Sequence, residues 1–392
     1  MSTTLSNITG NLQAELLEYF LWFHKHPELS YAEFNTTKKI KEILTSLGIE
    51  IINTNLKTGL VAIVRAENNS AAAKKTVALR ADIDALPVQE ESGVSYASQT
   101  PGCMHACGHD FHITALLGAA KILHDKRGTL GGDVKLVFQP AEEASGGAVQ
   151  VMETGALDDV SEIYGMHVGP ESENGIIAIS PGATFASTTL LKITIAGKGG
   201  HAAMPHLCID PIVAAAQLIQ AAQTIVSRST NPADRVVVSF THIEAGKTWN
   251  TIPPSAFIEG TIRTLGTEKA KQTAARLNDI CKGIGIASGC TINLEERRDA
   301  PSTDNDPALC EQAAATARAL GFRTEPFVPT MAGEDFAVYQ EKIRGVFIGF
   351  GVESPHALHH PAFAAQTSEL ARAAELLAAI AEDALLSKTQ RI

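Results

Sequence analysis

Val134-Lys135-Leu136-Val137-Phe138-Gln139-Pro140-Ala141-Glu142-Glu143 is the stretch that sets the fold class. Its first five residues are apolar except for one lysine and rich in β-branched side chains, as a buried strand requires. The proline then ends the strand just before two carboxylates. The pattern recurs along the chain. Residues 77–81 form a short apolar run leading into Asp82 and Asp84, residues 163–168 carry His167 near their end, and residues 346–350 precede His359-His360. Helical spacing predicts helices over 15–26, 113–123, 308–320 and 369–386. Strands that alternate with helices imply an α/β core with a mostly parallel central sheet.

The middle of the chain reads differently. Residues 190–196 alternate as a strand, and Asp210-Pro211 opens a helix to about 228, with Asp as N-cap and Pro in the first turn. Strands are expected over 235–242 and 256–264, a helix over 268–286 and a last strand over 290–295. The order β-α-β-β-α-β is that of a small ferredoxin-like α+β domain. The expected organisation is a first part of the core over 1–185, an inserted domain over 186–300 and a second part of the core over 301–392.

Composition narrows the function classes. With 392 residues, 45% hydrophobic and 19% charged, the chain is globular and longer than one ordinary domain. Lys and Arg number 32 against 43 Asp and Glu, a net charge of −11, which argues against nucleic acid or an anionic membrane as partner. The six cysteines follow no disulfide-framework spacing, as in a reducing compartment. The opening MSTTLSNITGNLQAELLEYF lacks the basic and apolar regions of a secretory leader. The most apolar stretch, 211–226, is broken by Gln217, Gln220 and Gln223, short of a membrane span. The expected address is the cytoplasm.

Chemistry gathers where the expected strands end. Met104-His105-Ala106-Cys107-Gly108-His109-Asp110 precedes a helix, Glu142-Glu143 follows one strand, His167 ends another, and His359-His360 follows the last. In open α/β sheets ligands bind beyond the carboxyl ends of the strands, so the four sites can converge on one crevice. Taken singly, each feature is ordinary: a turn histidine, a solvated Glu pair, a core histidine. Together they supply Cys, His, Glu, His and His, five donors, more than one tetrahedral ion takes. A thiolate can bridge two cations about 3.5–4 Å apart, the arrangement of aminopeptidases. If Glu143 binds metal, Glu142 remains as general base for a water. Asp84 is placed to accept a ligand imidazole N–H. A cysteine hydrolase with Cys107 as nucleophile and His109 as base is the competing enzyme reading, and a non-catalytic binding homologue the competing class.

At these residues the sequence resembles the metallo-amidohydrolase and carboxypeptidase family that includes hippurate hydrolase, N-acyl-amino-acid amidohydrolases and indoleacetyl-amino-acid hydrolases. The matching motifs run almost end to end. They are Phe23-His24-Lys25-His26-Pro27-Glu28-Leu29-Ser30, Leu79-Arg80-Ala81-Asp82-Ile83-Asp84-Ala85-Leu86-Pro87, residues 104–110, Gln139-Pro140-Ala141-Glu142-Glu143, residues 197–206, Gly260-Thr261-Ile262-Arg263-Thr264, Gly333-Glu334-Asp335-Phe336 and His359-His360-Pro361. The resemblance implies a zinc-peptidase-like catalytic domain with helices on both faces of the sheet, and a lid and dimerisation role for the inserted domain.

It also implies roles. Cys107, His109, Glu143, His167 and His359 fall on ligand positions for two divalent ions per subunit (Zn, Mn, Ni or Co), with Cys107 bridging. His359 is expected over its neighbour His360, the two being separable only by geometry. Glu142 falls on the general base. His201 falls on a histidine that steadies the oxyanion in the partner subunit's site, and Asn250 and Arg263 on positions that hold the substrate carboxylate. The implied activity is hydrolysis of N-acyl amino acids to a carboxylate and a free amino acid through a metal-activated water. A dipeptidase or carboxypeptidase with the same metals is the alternative. A homodimer or higher homo-oligomer is expected. Three departures stand out: Val168 after His167, no acidic residue in Phe185-Ala186-Ser187-Thr188-Thr189, and Ala332 before Gly333. The first two border the implied acyl pocket and leave benzoyl, acetyl, indoleacetyl and long-chain acyl groups open.

Overall fold

The computed structural model describes residues 2–67 and 75–386. They fall into two compact units, one of Met1–Gly182, Asp304–Val328 and Val338–Ile392, the other of Ala183–Thr303 and Pro329–Ala337.

The first unit is built on an eight-stranded sheet. Its order is Glu50–Ile52, Leu60–Val64, Gly132–Gln139, Lys75–Asp82, Val160–Gly169, Arg344–Gly351, Ile177–Ala178 and Thr324–Glu325. The four central strands are mutually parallel. They read as near-continuous apolar runs because a parallel sheet is covered on both faces. The margins add antiparallel strands to this parallel centre. Leu60–Val64, which no sequence-based expectation covered, runs antiparallel to Gly132–Gln139, and Glu50–Ile52 antiparallel to it in turn. The second of these pairs is joined by the short link 53–59, which an antiparallel pair allows without a crossover helix. Ile177–Ala178 is likewise antiparallel to Arg344–Gly351.

Helices His109–Asp125 and Leu370–Leu386 pack on each other and on the central strand Lys75–Asp82. The first of them is buried on every side from His109 to Ala120, so it reads as apolar rather than amphipathic. Close approach rests on Gly118. A Cβ there would lie 2.6 Å from Ala374 Cβ and 2.8 Å from Leu16 Cδ1, too near for any side chain.

The second unit carries a four-stranded antiparallel sheet in the order Val236–Ala245, Ser255–Thr264, Ser187–Ala196, Thr291–Ala300. Along Ser187–Ala196, buried Leu191, Ile193 and Ile195 alternate with exposed Lys192 and Thr194. Helices Pro211–Thr224 and Thr267–Ser288 join the core those residues form. Asp210 caps the first helix by accepting from Ile212 N–H at 2.9 Å. The expected boundaries shift: this unit begins at Ala183 and its first segment ends at Thr303. It also takes Pro329–Ala337, which the sequence assigned to the core. The reason is hydrogen bonding. Thr330 N–H donates to Thr184 O at 2.9 Å, Ala186 N–H to Ala332 O at 2.9 Å, and Arg263 Nη1 to Met331 O at 3.0 Å. Among the described residues no helix is long and apolar enough to cross a membrane, and all six cysteines are unpaired.

A buried charged triad sits beside the first turn of the helix His109–Asp125. His24 Nδ1 lies 2.6 Å from Asp110 Oδ2 and Nε2 lies 3.2 Å from Glu90 Oε1. Burial disfavours charge on the ring, but hydrogen bonds to Asp110 and Glu90 outweigh it and raise His24 to about 9. The folded pKa then lies above the ordinary 6.5. The triad's contribution is therefore complete below that value and is lost as the pH rises through 9. The rise corresponds to at most about 3 kcal/mol. In denaturant titrations, the stability gap between the wild type and His24→Gln is expected to narrow from pH 6 to pH 10. A gap that does not change with pH would rule out the charged triad.

Candidate metal centre

Each candidate donor is placed by a chain feature at the carboxyl edge of the central strands. Cys107 lies in the loop before helix His109–Asp125. Between them, Gly108 takes φ +79°, and a Cβ there would fall 2.5 Å from Val168 Cγ2, so only glycine fits. After strand Gly132–Gln139 the chain turns through Ala141, at φ +50°. That residue is held by its N–H donating to Glu33 Oε1 at 2.8 Å. Glu142 and Glu143 follow, and their N–H groups donate to the two oxygens of Asp84 at 3.1 and 3.0 Å. His167 comes from the end of strand Val160–Gly169. His359, at φ +67°, is anchored by its N–H on Ala106 O at 2.8 Å.

These features bring Cys107, His109, Glu143, His167 and His359 together. Cys107 Sγ lies 3.4 Å from His167 Nε2 and 3.3 Å from His359 Nε2. Glu143 Oε1 lies 3.8 Å from His109 Nε2 and 3.4 Å from His359 Nε2. The donors fall into two triads that share Cys107, one with His109 and His167, the other with Glu143 and His359. Donors around one tetrahedral ion at zinc-like bond lengths stand roughly 3.3–3.8 Å apart. His109 Nε2 and Glu143 Oε1 are buried without a hydrogen-bond partner, a condition that buried polar atoms rarely tolerate. His109 Nδ1 donates to Asp84 O at 2.8 Å and His167 Nδ1 to Val168 O at 2.8 Å. Each bond places the Nδ1 proton and turns Nε2 toward the cluster. The residues present therefore fit a pair of cations. His360 turns away: its Nδ1 accepts from Ala362 N–H at 3.0 Å and its ring stacks on His356.

The electrostatics favour cations too. Burial pushes the Cys107 thiol well above its ordinary range. The Glu143 and Glu142 carboxylates push the same way, against nearby His109. A thiolate here needs added positive charge, which weakens the reading of Cys107 as a free nucleophile. Burial opposes charge on His109, yet Asp82 and Asp84 hold its pKa well above the ordinary histidine value.

Asp84 meets His109 through its backbone. Its main-chain oxygen, not its carboxylate, accepts the His109 imidazole N–H. The carboxylate lies 3.4 Å from that ring and instead accepts Ser30 Oγ at 2.6 Å and the two glutamate N–H groups. Several residues behind the cluster escaped the sequence reading. Arg80, 1% exposed on the central strand, donates through Nη1 to Asp82 Oδ2 at 2.6 Å and through Nε to Gln139 Oε1 at 2.8 Å. Tyr339 Oη donates to the same Gln139 oxygen at 2.9 Å. The available signal was Arg80 itself, since an arginine inside an apolar strand must find buried partners.

The remaining expected residues lie in the second unit. His201 is exposed on the short strand Gly200–His201, which pairs with Thr251–Ile252. Its Nδ1 accepts from Ala203 N–H at 3.1 Å. Asn250 stands beside it, with its main-chain oxygen accepting from Ala202 N–H at 3.0 Å. Arg263 is on strand Ser255–Thr264, its guanidinium bonded to Met331 O.

An α/β unit with a clustered Cys, His and Glu donor set fits a metal-dependent hydrolase, and comparison gives the family. Residues 78–383 match the profile of peptidase family M20/M25/M40, and the chain belongs to it. N-acetylcysteine deacetylase of Bacillus subtilis (strain 168) is 41% identical over 359 residues, covering 91% of this chain and 93% of that protein. N-acetyldiaminopimelate deacetylase of Listeria monocytogenes serotype 4a (strain HCC23) is 38% identical over 343 residues, covering 86% and 90%. A solved dinuclear metal-binding peptidase of the M20 family from Bacillus subtilis superposes with a TM-score of 0.87 at 37% identity, covering 96% of this chain and 99% of that one. The chain is thus an M20-family hydrolase of the amide-bond-cleaving kind.

Replacing Asp84 by Asn turns one acceptor oxygen into a donor that faces a main-chain N–H. The expected loss is about 1–3 kcal/mol of stability in urea titrations, with faster amide exchange at Glu142 and Glu143. Unchanged exchange at those two amides would show that the carboxylate does not hold the loop.

Proposed function

We propose that this chain is a two-metal amidohydrolase that removes acyl groups, acetyl foremost, from N-acyl amino acids, releasing a carboxylate and a free amino acid. The observation that carries the reading is the pair of donor triads sharing Cys107, with His109 Nε2 and Glu143 Oε1 buried and unpartnered. The acetyl preference is supported by the deacetylase relatives. Two divalent cations held by Cys107, His109, Glu143, His167 and His359 would supply Lewis-acid polarisation of the amide carbonyl and acidify a water.

Glu142 is held beside Glu143 by the Asp84 carboxylate. It takes the proton of the attacking water and returns it to the leaving nitrogen. Asp84 acts through that loop and through His109. His201 steadies the oxyanion, a contribution typically of several kcal/mol for a well-placed donor. Arg263 and Asn250 hold the α-carboxylate, which is suited to an arginine fork. In this reading the second unit is a lid and dimerisation domain. The exposure of His201 and Asn250 fits residues that serve the site of a second subunit in a homodimer.

The test is metal depletion and add-back on N-acetyl amino acids, N-acetylcysteine, hippurate and unblocked dipeptides, with Glu142→Ala beside the wild type. Chelation is expected to abolish turnover and a divalent ion to restore it. Glu142→Ala is expected to lose about 10²–10⁴-fold in kcat with its metal retained. Activity that survives chelation, or near-wild-type Glu142→Ala, overturns the mechanism, and a preference for dipeptides overturns the substrate class.

A further inference from the structure

His112 is buried at 1% exposure, one turn beyond His109 on the same helix, and the mechanism above gives it no role. Its two ring nitrogens are both committed. Val168 N–H lies 2.9 Å from His112 Nε2, and a main-chain N–H can only donate, so Nε2 must be the bare acceptor. The proton then sits on Nδ1, 2.6 Å from Asp82 Oδ1. The other oxygen of Asp82 accepts from Arg80 Nη1 at 2.6 Å. On the far side of the same residue, Val168 O accepts His167 Nδ1–H. The chain of bonds runs without a break from Arg80 through Asp82, His112 and Val168 to His167. The His112 and His167 rings also meet directly, with centroids 4.7 Å apart at 66°. Asp82, His109 and His112 are close enough to suggest a further cation site, but His112 has no lone pair left for one.

We propose that His112, fixed by Asp82, is a positioning residue for the metal centre: it holds the Val168 main chain, and through it the Nε2 of His167, in the orientation that completes the Cys107–His109–His167 triad. The proposal rests on the two-metal reading above. It adds that one of the two cations depends on a residue that ligates neither.

The experiment is cobalt titration of the metal-free full-length protein, followed by the visible absorption of each bound ion. His112→Leu removes both hydrogen bonds, and His112→Gln restores one donor and one acceptor. His112→Leu is expected to weaken one of the two ions about 10–100-fold and leave the other at wild-type affinity, with His112→Gln recovering most of the loss. If His112→Leu does not fold, Asp82→Asn, which removes the charge that fixes the ring, is read the same way. Imidazole nitrogen NMR of the metal-free wild type reports separately on the ring, with His112 expected neutral and protonated on Nδ1. Wild-type affinity for both ions in His112→Leu overturns this proposal while leaving the two-metal reading intact, as does an Nε2-protonated His112. Equal weakening of both ions overturns it too, since a general structural defect would do that. If the wild type takes up no pair of ions, the two-metal reading falls first and this inference with it.

Discussion

The Asp84 carboxylate is buried and accepts three donors: the Ser30 hydroxyl and the successive N–H groups of Glu142 and Glu143. An ionised carboxylate in such a place is costly unless its oxygens are bonded. Burial pushes its pKa up, and His109, Ser30 and the Glu143 amide bring it below the ordinary value. The same residue accepts the His109 ring through its main-chain oxygen. One residue thus fixes the loop of the proposed base and two of the proposed ligands. The left-handed backbone of Ala141 and Ser145 on either side is unfavourable for L-residues. It is offset by the bonds that Glu33 and Tyr31 make to those same two residues.

The sheet explains why so many charged groups can be gathered in one place. Four parallel strands end at the same edge, and Asp82, Gln139, His167 and Gly351 stand at or near those ends. Arg80 reaches that edge from inside the central strand and links Asp82 to Gln139. At the opposite edge, Lys75 bonds Glu162 at 2.6 Å and Lys135 bonds Asp159. Buried ions at both ends are paired, as their desolvation requires. At the carboxyl edge, however, His109 Nε2 and Glu143 Oε1 are buried without hydrogen-bond partners, which singles out that edge as the candidate site.

What the sequence made legible was local. The central strands, the helices between them and the Asp210-Pro211 helix start follow from periodicity and capping, and the candidate donors stood out because they fall at the ends of the expected strands or in loops beyond them. What it hid depends on contacts between distant segments. Leu60–Val64 is apolar without a flanking pattern, and only its pairing with Gly132–Gln139 makes it a strand. Pro329–Ala337 joins the second unit through bonds to main chain over a hundred residues earlier. His112 fell just outside the helix expected over 113–123, and nothing in the spacing announces its bond to Val168. Asp84 was noticed, yet which of its oxygens meets His109 is a matter of backbone geometry alone.

His359 is tied through its N–H to Ala106, and this gives the centre an order in time. Cys107, His109 and His167 leave the ribosome close together, whereas His359 follows only after the whole of the first segment of the second unit and the strand Arg344–Gly351. At ordinary elongation rates that interval is about 10–40 s. During it the nascent chain already carries the complete first triad, with its thiol, but lacks the histidine that completes the second. The two halves of the proposed centre therefore become available for assembly at different times, and the bond between His359 and Ala106 cannot form before the later half is made.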